Sequence, residues 1–492
     1  MINKYKITRT RKQLPTPSIW NGQSEVGSNT SEIHGIKINN IWHYYEKGNC
    51  TAIFIEEEWN NAGIFLKERM INDSEYIHEI YKQQKKYGKE LVNLSIELGE
   101  HNFSDYLLDE LFEKYEIIKS AWIKFDQYNV LPWFVGGDYF GSYLKNELSN
   151  IGLSDEETTI LLTPAKPSFS AEEELQILGL SLEAVENKLN TPVLPEYFLK
   201  KIDDLVLKYY WVPFGLDGPT VYNRDHYIKT IKEIIDTKNK DEIKDKITQI
   251  KNYEYDINKK QEAIKIKYKI TKELSRQTEV LHILTLMTDE RKDYEFHSHV
   301  AFYKILEEIG NKIGIENVQF IKHITLEELK KFRNDSKKLN DIGKSRMDGY
   351  LMFHFHHSDG QYDMTEGTEA QKIAEQIIPK LEKTKIIKGV VACKGKNAKT
   401  TGIVKILMFP KEIVKLKQGE IIVTPMTTPE YVPAMRKSVA IITDEGGITC
   451  HAAIVSRELN IPCIIGTKNA SKILKDGDLI EVDTDSGIIK IL

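Results

Sequence analysis

The histidine at position 451 stands in a setting that suits covalent chemistry. It lies in the segment DEGGITCHAAIVSRELNIPCIIG, which follows the apolar run SVAIIT and ends in a second apolar run, IPCIIG. Gly446 and Gly447 end the first run and allow a tight turn whose backbone amides can approach a ligand closely. Thr449 is a residue type that caps helices, and a helical stretch runs roughly from Thr449 to Leu459. The pattern predicts a buried strand, a glycine turn and a helix with His451 in its first turn.

The first turn of a helix favours phosphate chemistry at a histidine. Unpaired backbone amides and the positive end of the helix dipole gather there, so the position attracts an anion such as a phosphate. The same field disfavours the imidazolium, and only a neutral imidazole has a nitrogen lone pair that can attack phosphorus. A lone histidine more often only caps or packs a helix. Because of the flanking pattern, we predict instead that His451 is a nucleophile and phosphoryl carrier.

The segment around His451 resembles a known signature. GGITCHAAIVSRELNIPCIIG is similar to the phosphohistidine signature of phosphoenolpyruvate-utilising enzymes, which include phosphoenolpyruvate synthase, pyruvate phosphate dikinase, the phosphotransferase-system enzyme I and rifampin phosphotransferase. TPMTTPEYVPAM at 424–435 resembles the family segment before the signature, and DGDLIEVDTDSGIIKI at 476–491 its closing β-hairpin. GVVACKGKNAKTTGIVKI at 389–406 resembles the opening hairpin, although Lys and Asn stand where small residues and Gly are commoner. The resemblance spans roughly residues 386–492.

The resemblance implies roles for the matching positions. His451 is the phosphoryl carrier, Thr449 is a hydrogen-bond partner of the ring or the phosphate, and Gly446 and Gly447 shape the loop. Arg457 supports the phosphate by resemblance alone, because six residues along a helix do not share one face with His451. Cys450 adjoins the nucleophile, where packing is a commoner role than thiol chemistry. In the family this domain swivels between two separate active sites.

The resemblance also implies a separate donor site. In the family the histidine is phosphorylated from ATP by an ATP-grasp domain or from phosphoenolpyruvate by a TIM barrel. The residues before the carrier domain do not resemble ATP-grasp, GVVACKGKN lacks the spacing of a P-loop, and the sequence stops after the carrier domain. We therefore expect a split enzyme. A partner chain with an ATP-grasp fold would bind ATP and Mg2+, and this chain would hold no cofactor of its own.

Two other functions stay open from the sequence. The carrier domain could be a non-catalytic phosphorylation-sensing or protein-binding module, for which long charged helices would provide a partner surface. Alternatively, phosphoenolpyruvate could be the donor, through a separate barrel protein. The sequence itself identifies neither the donor nor the acceptor.

The region of residues 71–380 is predicted to be mainly helical and to bind a small-molecule acceptor. It weakly resembles the helical middle part of rifampin-phosphotransferase-like proteins in LLTPAKPSFSAEEELQIL, TDERKDYEFHSHVAFYKILEEIG and VQFIKHITLEELKKF. The candidates for acceptor binding are Arg291, His297, His354, His356, Trp133 and Trp211. A solvated helix end for the arginine and core packing for the tryptophans are the ordinary alternatives.

Two of these histidines could also hold a metal ion. On a strand, His354 and His356 share one face, with Asp359 nearby in FHFHHSDG. A polar strand end is the commoner reason for such a cluster, and no second group of ligands has a clear spacing. His297 and His299 stand two apart on a predicted helix, so they point in different directions. We therefore predict no metal site.

The first elements that must position these residues follow from periodicity and turn signals. IWHYYEKGNCTAIFIEEEW, in a mixed segment of residues 1–70, alternates as a strand pair does. Helical spacing is then found from about residue 70 to about residue 150. The Pro and Gly-Gly of LPWFVGGDYF, within this stretch, predict a break in it. Ser170 with Glu173 three residues later fits a capping box that opens another helix.

Further elements are predicted along the rest of the chain. Residues 224–272 are rich in Lys, Glu and Asp and predict long solvent-facing helices arranged as a hairpin. Residues 273–315 predict another helix, and ITLEELKKF has the Thr-x-x-Glu start of a capped one. YLMFHFHHSDGQYD predicts a strand and a turn, and short apolar runs separated by Gly and Asp turns predict many strands after residue 386.

Length and composition bound the class of protein. The chain has 492 residues, of which 41% are apolar and 29% charged, with a net charge of −5. We expect a mainly α-helical N-terminal and central region followed by a C-terminal α/β swivelling phosphohistidine domain. The near-neutral charge gives no sign of nucleic-acid binding. Four cysteines without zinc-binding spacing, and the lack of an apolar signal or spanning segment, predict a cytoplasmic protein without membrane contact.

Overall fold

The chain folds as two compact units, Met1–Pro379 and Lys380–Leu492. The structure is a computed structural model. It describes residues 5–12, 29–36, 38–47, 49–189, 194–214, 220–356, 361–378, 384–408, 410–427, 431–446 and 450–492. Each unit has its own sheet and its own apolar cores.

The first unit combines a five-stranded sheet with many helices. Its described strands are β1 (Tyr5–Lys12), β2 (Asn40–Glu46), β3 (Asn49–Ile55), β4 (Tyr350–His356) and β5 (Gln361–Glu366). Its described helices of regular α type are α1 (Glu56–Asn72), α2 (Ser74–Glu100), α3 (Leu108–Asn129), α4 (Leu131–Val135), α5 (Ser142–Asn150), α6 (Asp155–Leu162), α7 (Phe169–Glu186), α8 (Glu196–Tyr209), α9 (Arg224–Thr237), α10 (Lys240–Lys267), α11 (Lys272–Ile313), α12 (Val318–Ile321), α13 (Leu326–Lys331), α14 (Ser336–Asp348) and α15 (Gly367–Ile377).

The sheet joins the two ends of the first unit's sequence. Its strand order is β1-β3-β2-β4-β5, and every pair is antiparallel. The predicted strand pair at 41–59 is confirmed as β2 and β3, after which the acidic run begins α1. On β4, Leu351, Phe353 and Phe355 enter the core shared with the helices. Met352, on the opposite face, packs with α15 instead.

Helix α11 organises the helical part of the first unit. Its 42 residues confirm the helix predicted at 273–315, and it packs against α2 and α3. Leu284 and Met287 in its first half join the core behind the sheet, whereas Phe302 and Ile305 join a second core shared with α3. Each such fully buried side chain contributes about 1.5–3 kcal/mol. Among the helices described, none has the length and apolar character that crossing a membrane requires.

Two local predictions in the first unit need correction. The break predicted at LPWFVGGDYF occurs only at its proline end, where α3 ends at Asn129 and α4 begins at Leu131; Gly-Gly does not break the helix, because α4 continues through a π-helical turn at Gly136–Gly141 into α5. Pro132 sits at the second position of α4, where its missing N–H costs little, and a π turn absorbs the extra residue. The helix assigned to Ser170 begins earlier, because Ser168 caps α7 and Asp289 of α11 accepts the N–H of Phe169 at 3.2 Å.

The charged stretch forms two helices, as predicted, but they do not pack as a hairpin, because each packs against α7 instead. Helices α9 and α10 are separated by two residues, and α10 buries only Ile243, Gln261 and Ile264. The predicted cap of α13 is also confirmed, because Thr325 and Glu328 form a capping box.

The second unit is an α/β domain with an eight-stranded sheet. Its described strands are β6 (Ile386–Lys388), β7 (Val390–Cys393), β8 (Lys399–Ile406), β9 (Ile421–Thr424), β10 (Ala440–Thr443), β11 (Cys463–Ile465), β12 (Leu479–Asp483) and β13 (Ile488–Ile491). Its described α-helices are α16 (Val432–Met435), α17 (His451–Leu459) and α18 (Ala470–Ile473). The predicted fold class, a helical region followed by an α/β domain, is confirmed.

The strand order of the second unit is β6-β13-β12-β8-β9-β10-β11-β7. Strands β8, β9, β10 and β11 run parallel to their neighbours within that group, and all residues of β9, β10 and β11 are buried. The closing hairpin is confirmed as β12 and β13. The opening hairpin is wrong, because β7 pairs with β11 while β8 pairs with β9 and β12. The buried strand β11 needs a partner on its outer edge, and β7 supplies it.

A buried arginine ties α13, α14 and β5 together. Arg346 is 2% exposed and donates to the Glu328 carboxylate at 2.6 and 2.7 Å, to Glu366 at 2.7 Å and to the His323 carbonyl at 2.9 Å. Burial alone would raise the pKa of Glu328, but the bonds and charge of Arg346 hold that pKa below its usual range. Loss of the guanidinium would leave a carboxylate buried without its countercharge.

We expect Arg346→Ala to lower the free energy of unfolding by about 3–5 kcal/mol. The measurement is denaturant unfolding followed by circular dichroism. Arg333→Ala is the matched control, because Arg333 pairs with Asp109 at 2.6 Å on the surface, with side chains 44% and 77% exposed. Its loss should be below about 1 kcal/mol. Equal losses in the two variants would contradict the proposed importance of the buried network.

Candidate functional site

His451 is the first residue of helix α17. Cys450 occupies the N-cap position with an extended backbone (φ −70°, ψ 161°), so the prediction that His451 lies in the first turn is confirmed. The helix ends at Asn460, which has left-handed dihedrals (φ 51°, ψ 47°). The prediction that Thr449 caps the helix is wrong, because Cys450 holds that position and makes no side-chain cap bond. Thr449 and Gly447 themselves lie outside the described residues.

A buried threonine holds the ring of His451. Thr427 is 5% exposed, and its Oγ1 lies 2.8 Å from His451 Nδ1. If Nδ1 carries the ring proton, it donates to this hydroxyl, and the lone pair of the neutral ring is then on Nε2. The sequence analysis did not identify Thr427, which is 24 positions before His451 in the sequence. The available signal was the resemblance of the segment 424–435 that contains it.

The turn before α17 requires glycine at position 446. Gly446 has φ +117°, and a Cβ built there would lie 2.7 Å from the Cys450 sulfur. No larger residue fits both the dihedral and the space. Burial raises the pKa of the Cys450 thiol, so the group stays protonated at neutral pH and serves packing. The sulfur thus fills the inside of the turn that presents His451.

A buried carboxylate anchors the other end of this turn. Asp444 follows β10 directly and is 6% exposed. It accepts the Ser471 N–H at 2.9 Å, the Ser471 hydroxyl and the Thr467 hydroxyl at 3.2 Å. Burial raises its pKa, although these hydrogen bonds act in the opposite direction. Asp444 therefore fixes the start of the turn to α18, two residues before Gly446.

Arg457 lies in the last turn of α17, away from the histidine. Six residues of α-helix separate the two by about 9 Å along the axis. The Arg457 Nε donates to the carbonyl of Ala392 in β7 at 2.9 Å. This bond fastens the helix to the edge strand, whereas the position of the ring depends on Thr427.

The candidate acceptor residues fall into two groups in the first unit. His297 Nδ1 lies 3.0 Å from the Tyr210 hydroxyl, and its Nε2 lies 3.2 Å from Asp293. Trp211 packs beside it, with ring centroids 5.5 Å apart. Arg291, on the same helix, is buried and lies 3.7 Å from Glu295.

The second group is on the sheet. His354 stacks on Trp42 and bonds to Asn40, and His356 bonds to Asp363. Within the part of the chain that the structure describes, no hydrogen bond, ion pair or ring contact joins this group to His297 and Trp211. The Trp133 side chain and Asp359 lie outside the described residues. Acceptor binding by either group stays a prediction.

A groove between α2 and α3 lies elsewhere in the first unit. It has a volume of about 450 Å3. Its lining residues are Tyr87, Glu90, Leu94, Glu116, Ile117, Ser120, Ala121 and Lys124. None of the predicted acceptor residues is among them, so the groove does not unite the two groups.

Comparison with known proteins shows which proteins the second unit resembles. Residues 416–487 match the family model described as PEP-utilising enzyme, mobile domain. The probable phosphoenolpyruvate synthase of Archaeoglobus fulgidus is 48% identical over 121 residues, which are 25% of this chain and 16% of that protein. The phosphoenolpyruvate synthase of Pyrococcus furiosus is 52% identical over 104 residues, which are 21% of this chain and 12% of that protein.

The similarity is therefore confined to one part of each protein. The matches span only 12–16% of the length of these two relatives. Among solved structures, the holo form of Thermococcus kodakaraensis aconitase X is 25% identical, covering 22% of this chain and 98% of that chain, with a TM-score of 0.18. A TM-score this low carries no argument.

The matched segment contains the elements that build the histidine site. Thr427, Asp444, Gly446 and His451 all lie within residues 416–487. The resemblance read from the sequence is confirmed. Residues 416–487 of the C-terminal unit are thus similar to the mobile domain of phosphoenolpyruvate-utilising enzymes, and the match does not extend to the first unit.

Proposed function

We propose that this chain is the phosphoryl-carrying component of a dikinase-like phosphotransferase, with His451 transiently phosphorylated. One observation carries the proposal: His451 begins α17 with its Nδ1 2.8 Å from the Thr427 hydroxyl, inside the segment that matches the mobile domain. A helix N-terminus attracts phosphate, and in the tautomer whose Nδ1–H donates to Thr427 the lone pair is on Nε2.

The first step is transfer from the donor to the ring. The Nε2 lone pair attacks a donor phosphorus, a P–N bond forms, and the P–O bond to the leaving group breaks with its electron pair going to that oxygen. The ring gains positive charge, which remains shared with Nδ1–H and its bond to Thr427. The amides at the start of α17 face the charge of the phosphoryl oxygens.

The second step returns the histidine to its resting form. An acceptor oxygen attacks the phosphorus and forms a new P–O bond while its proton leaves to solvent; the P–N bond breaks, and its electron pair goes back to Nε2. Two transfers through a nitrogen replace one direct transfer between two substrates. A carrier that swivels between two sites, as the family resemblance implies, can therefore serve a donor and an acceptor that never meet.

We assign the donor to ATP, bound with Mg2+ by an ATP-grasp partner chain. The support is the family resemblance, in which an ATP-grasp domain phosphorylates the histidine from ATP. Relatives named as phosphoenolpyruvate synthase make phosphoenolpyruvate the alternative donor to test. We assign the acceptor, a small molecule, to the first unit, where His297 is buried between Tyr210 and Asp293.

We expect phosphate on the peptide that contains His451 when the protein is isolated from its native cells and analysed by mass spectrometry at alkaline pH. His451→Ala should abolish this signal while leaving the circular dichroism spectrum unchanged, because the side chain is only partly buried and alanine is a good helix former. His78→Ala, an exposed histidine of the first unit, is the control. Labelled ATP and labelled phosphoenolpyruvate, each added with native extract, identify the donor. An unmodified peptide under both conditions would leave only the binding-module alternative.

We expect Thr427→Val to slow phosphorylation of His451 about tenfold or more, which corresponds to the loss of one hydrogen bond worth about 1.4 kcal/mol. Valine keeps the shape of threonine but cannot accept the Nδ1 proton. Thr427→Ser keeps the hydroxyl and should retain most of the rate. The measurement is the initial rate of label incorporation with a fixed donor. Equal rates in the valine and serine variants would exclude the hydrogen bond as the positioning element.

A further inference from the structure

The outer end of the sheet in the first unit carries polar side chains instead of apolar ones. On β4, Met352, His354 and His356 point to the same face. Helix α15 covers this face at Met352 through Ala370, Ala374 and Ile377. Beyond the helix, His354 and His356 are only partly buried, and the side chain of Asp363 is 74% exposed.

Three potential ligand residues converge there from two strands. Asp363 of β5 stands directly opposite His354 of β4. His356 Nε2 lies 2.8 Å from Asp363 Oδ2, and the two imidazole rings have centroids 4.1 Å apart. One nitrogen of each histidine and one carboxylate oxygen all lie within 4.8 Å of one another. Zn2+ holds such atoms at about 2.0–2.2 Å, so small side-chain rotations can close the group on one ion.

The surroundings of His354 prepare its ring for a metal. Its Nε2 lies 2.9 Å from the amide oxygen of Asn40, which can only accept, so Nε2 carries the proton and Nδ1 the lone pair. Trp42 stacks on the ring at 4.4 Å with an interplanar angle of 11°. An outer hydrogen bond of this kind is the usual support of a metal-binding histidine.

We propose that His354, His356 and Asp363 form a Zn2+ site that clips β4 to β5, with water completing the coordination. Two imidazoles and one carboxylate suit zinc, whereas Mg2+ and Ca2+ prefer oxygen ligands. From the sequence we predicted no metal site, because no second group of ligand residues had a clear spacing. The third ligand comes instead from the register of the β4–β5 pair.

The experiment uses the full chain, stripped with a chelator and titrated with ZnCl2 alone against a chromophoric competitor. We expect one ion per chain, with affinity reduced at least about tenfold in Asp363→Asn and lost in His356→Ala. Asn40→Ala removes the outer hydrogen bond to His354, together with the bond from Asn40 Nδ2 to Glu58 at 3.4 Å, and should weaken binding by about tenfold. Cobalt substituted for zinc should give a visible absorption spectrum that Asp363→Asn changes.

The matched control is His78→Ala. His78 lies 4.0 Å from Glu279 on the helical surface, so it offers an exposed histidine and carboxylate without a third ligand. Its removal should leave the zinc stoichiometry and affinity unchanged. The proposal fails if Asp363→Asn binds as tightly as the unmodified protein, or if His78→Ala loses as much affinity. Should His356→Ala fail to fold, Asp363→Asn decides alone, because the Asp363 side chain is largely exposed and carries no packing.

Discussion

The proposed role of His451 requires one ring nitrogen to face outward, and the hydrogen bond between Thr427 and Nδ1 leaves Nε2 as that nitrogen. The bond also sets the direction in which the ring points from the first residue of α17. Its energy is small, about 1 kcal/mol. Its value lies in orientation, because a ring free to rotate or to change tautomer would present the wrong atom to phosphorus for part of the time.

That bond depends on a rigid frame in the second unit. Strands β9 and β10 are fully buried, and Thr427 follows the first while Asp444 follows the second. Asp444 is held by Ser471 and Thr467, so the chain leaves β10 in a fixed direction before the glycine turn. The parallel pairing of β9 and β10 brings their carboxyl ends to one edge of the sheet, which is where open α/β sheets place their ligand sites.

The first unit uses buried polar groups in a different way. Arg346 links two helices and a strand through charged hydrogen bonds, so that removing it would leave the Glu328 carboxylate without its countercharge. His354, His356 and Asp363, by contrast, lie on the part of the sheet that α15 does not cover, where polar atoms reach the surface. The first unit thus contains a buried structural network between two helices and a strand, and an accessible group on the sheet with the composition of a cation site.

The sequence by itself determined the histidine site's local form and the order of helical and α/β regions. A glycine turn, a helix start and two buried strands can be read from residues within about one turn or strand of each other, because local propensity and burial act there. The tertiary structure decided everything that needs distant residues. It made Thr427 the partner of His451 and Asp363 the partner of His356. It also placed the N-cap of α7 at Ser168, next to the bond between Phe169 N–H and Asp289. It also separated β7 from β8. These contacts depend on strand register and helix packing, which bring together residues whose separation along the chain carries no periodic signal.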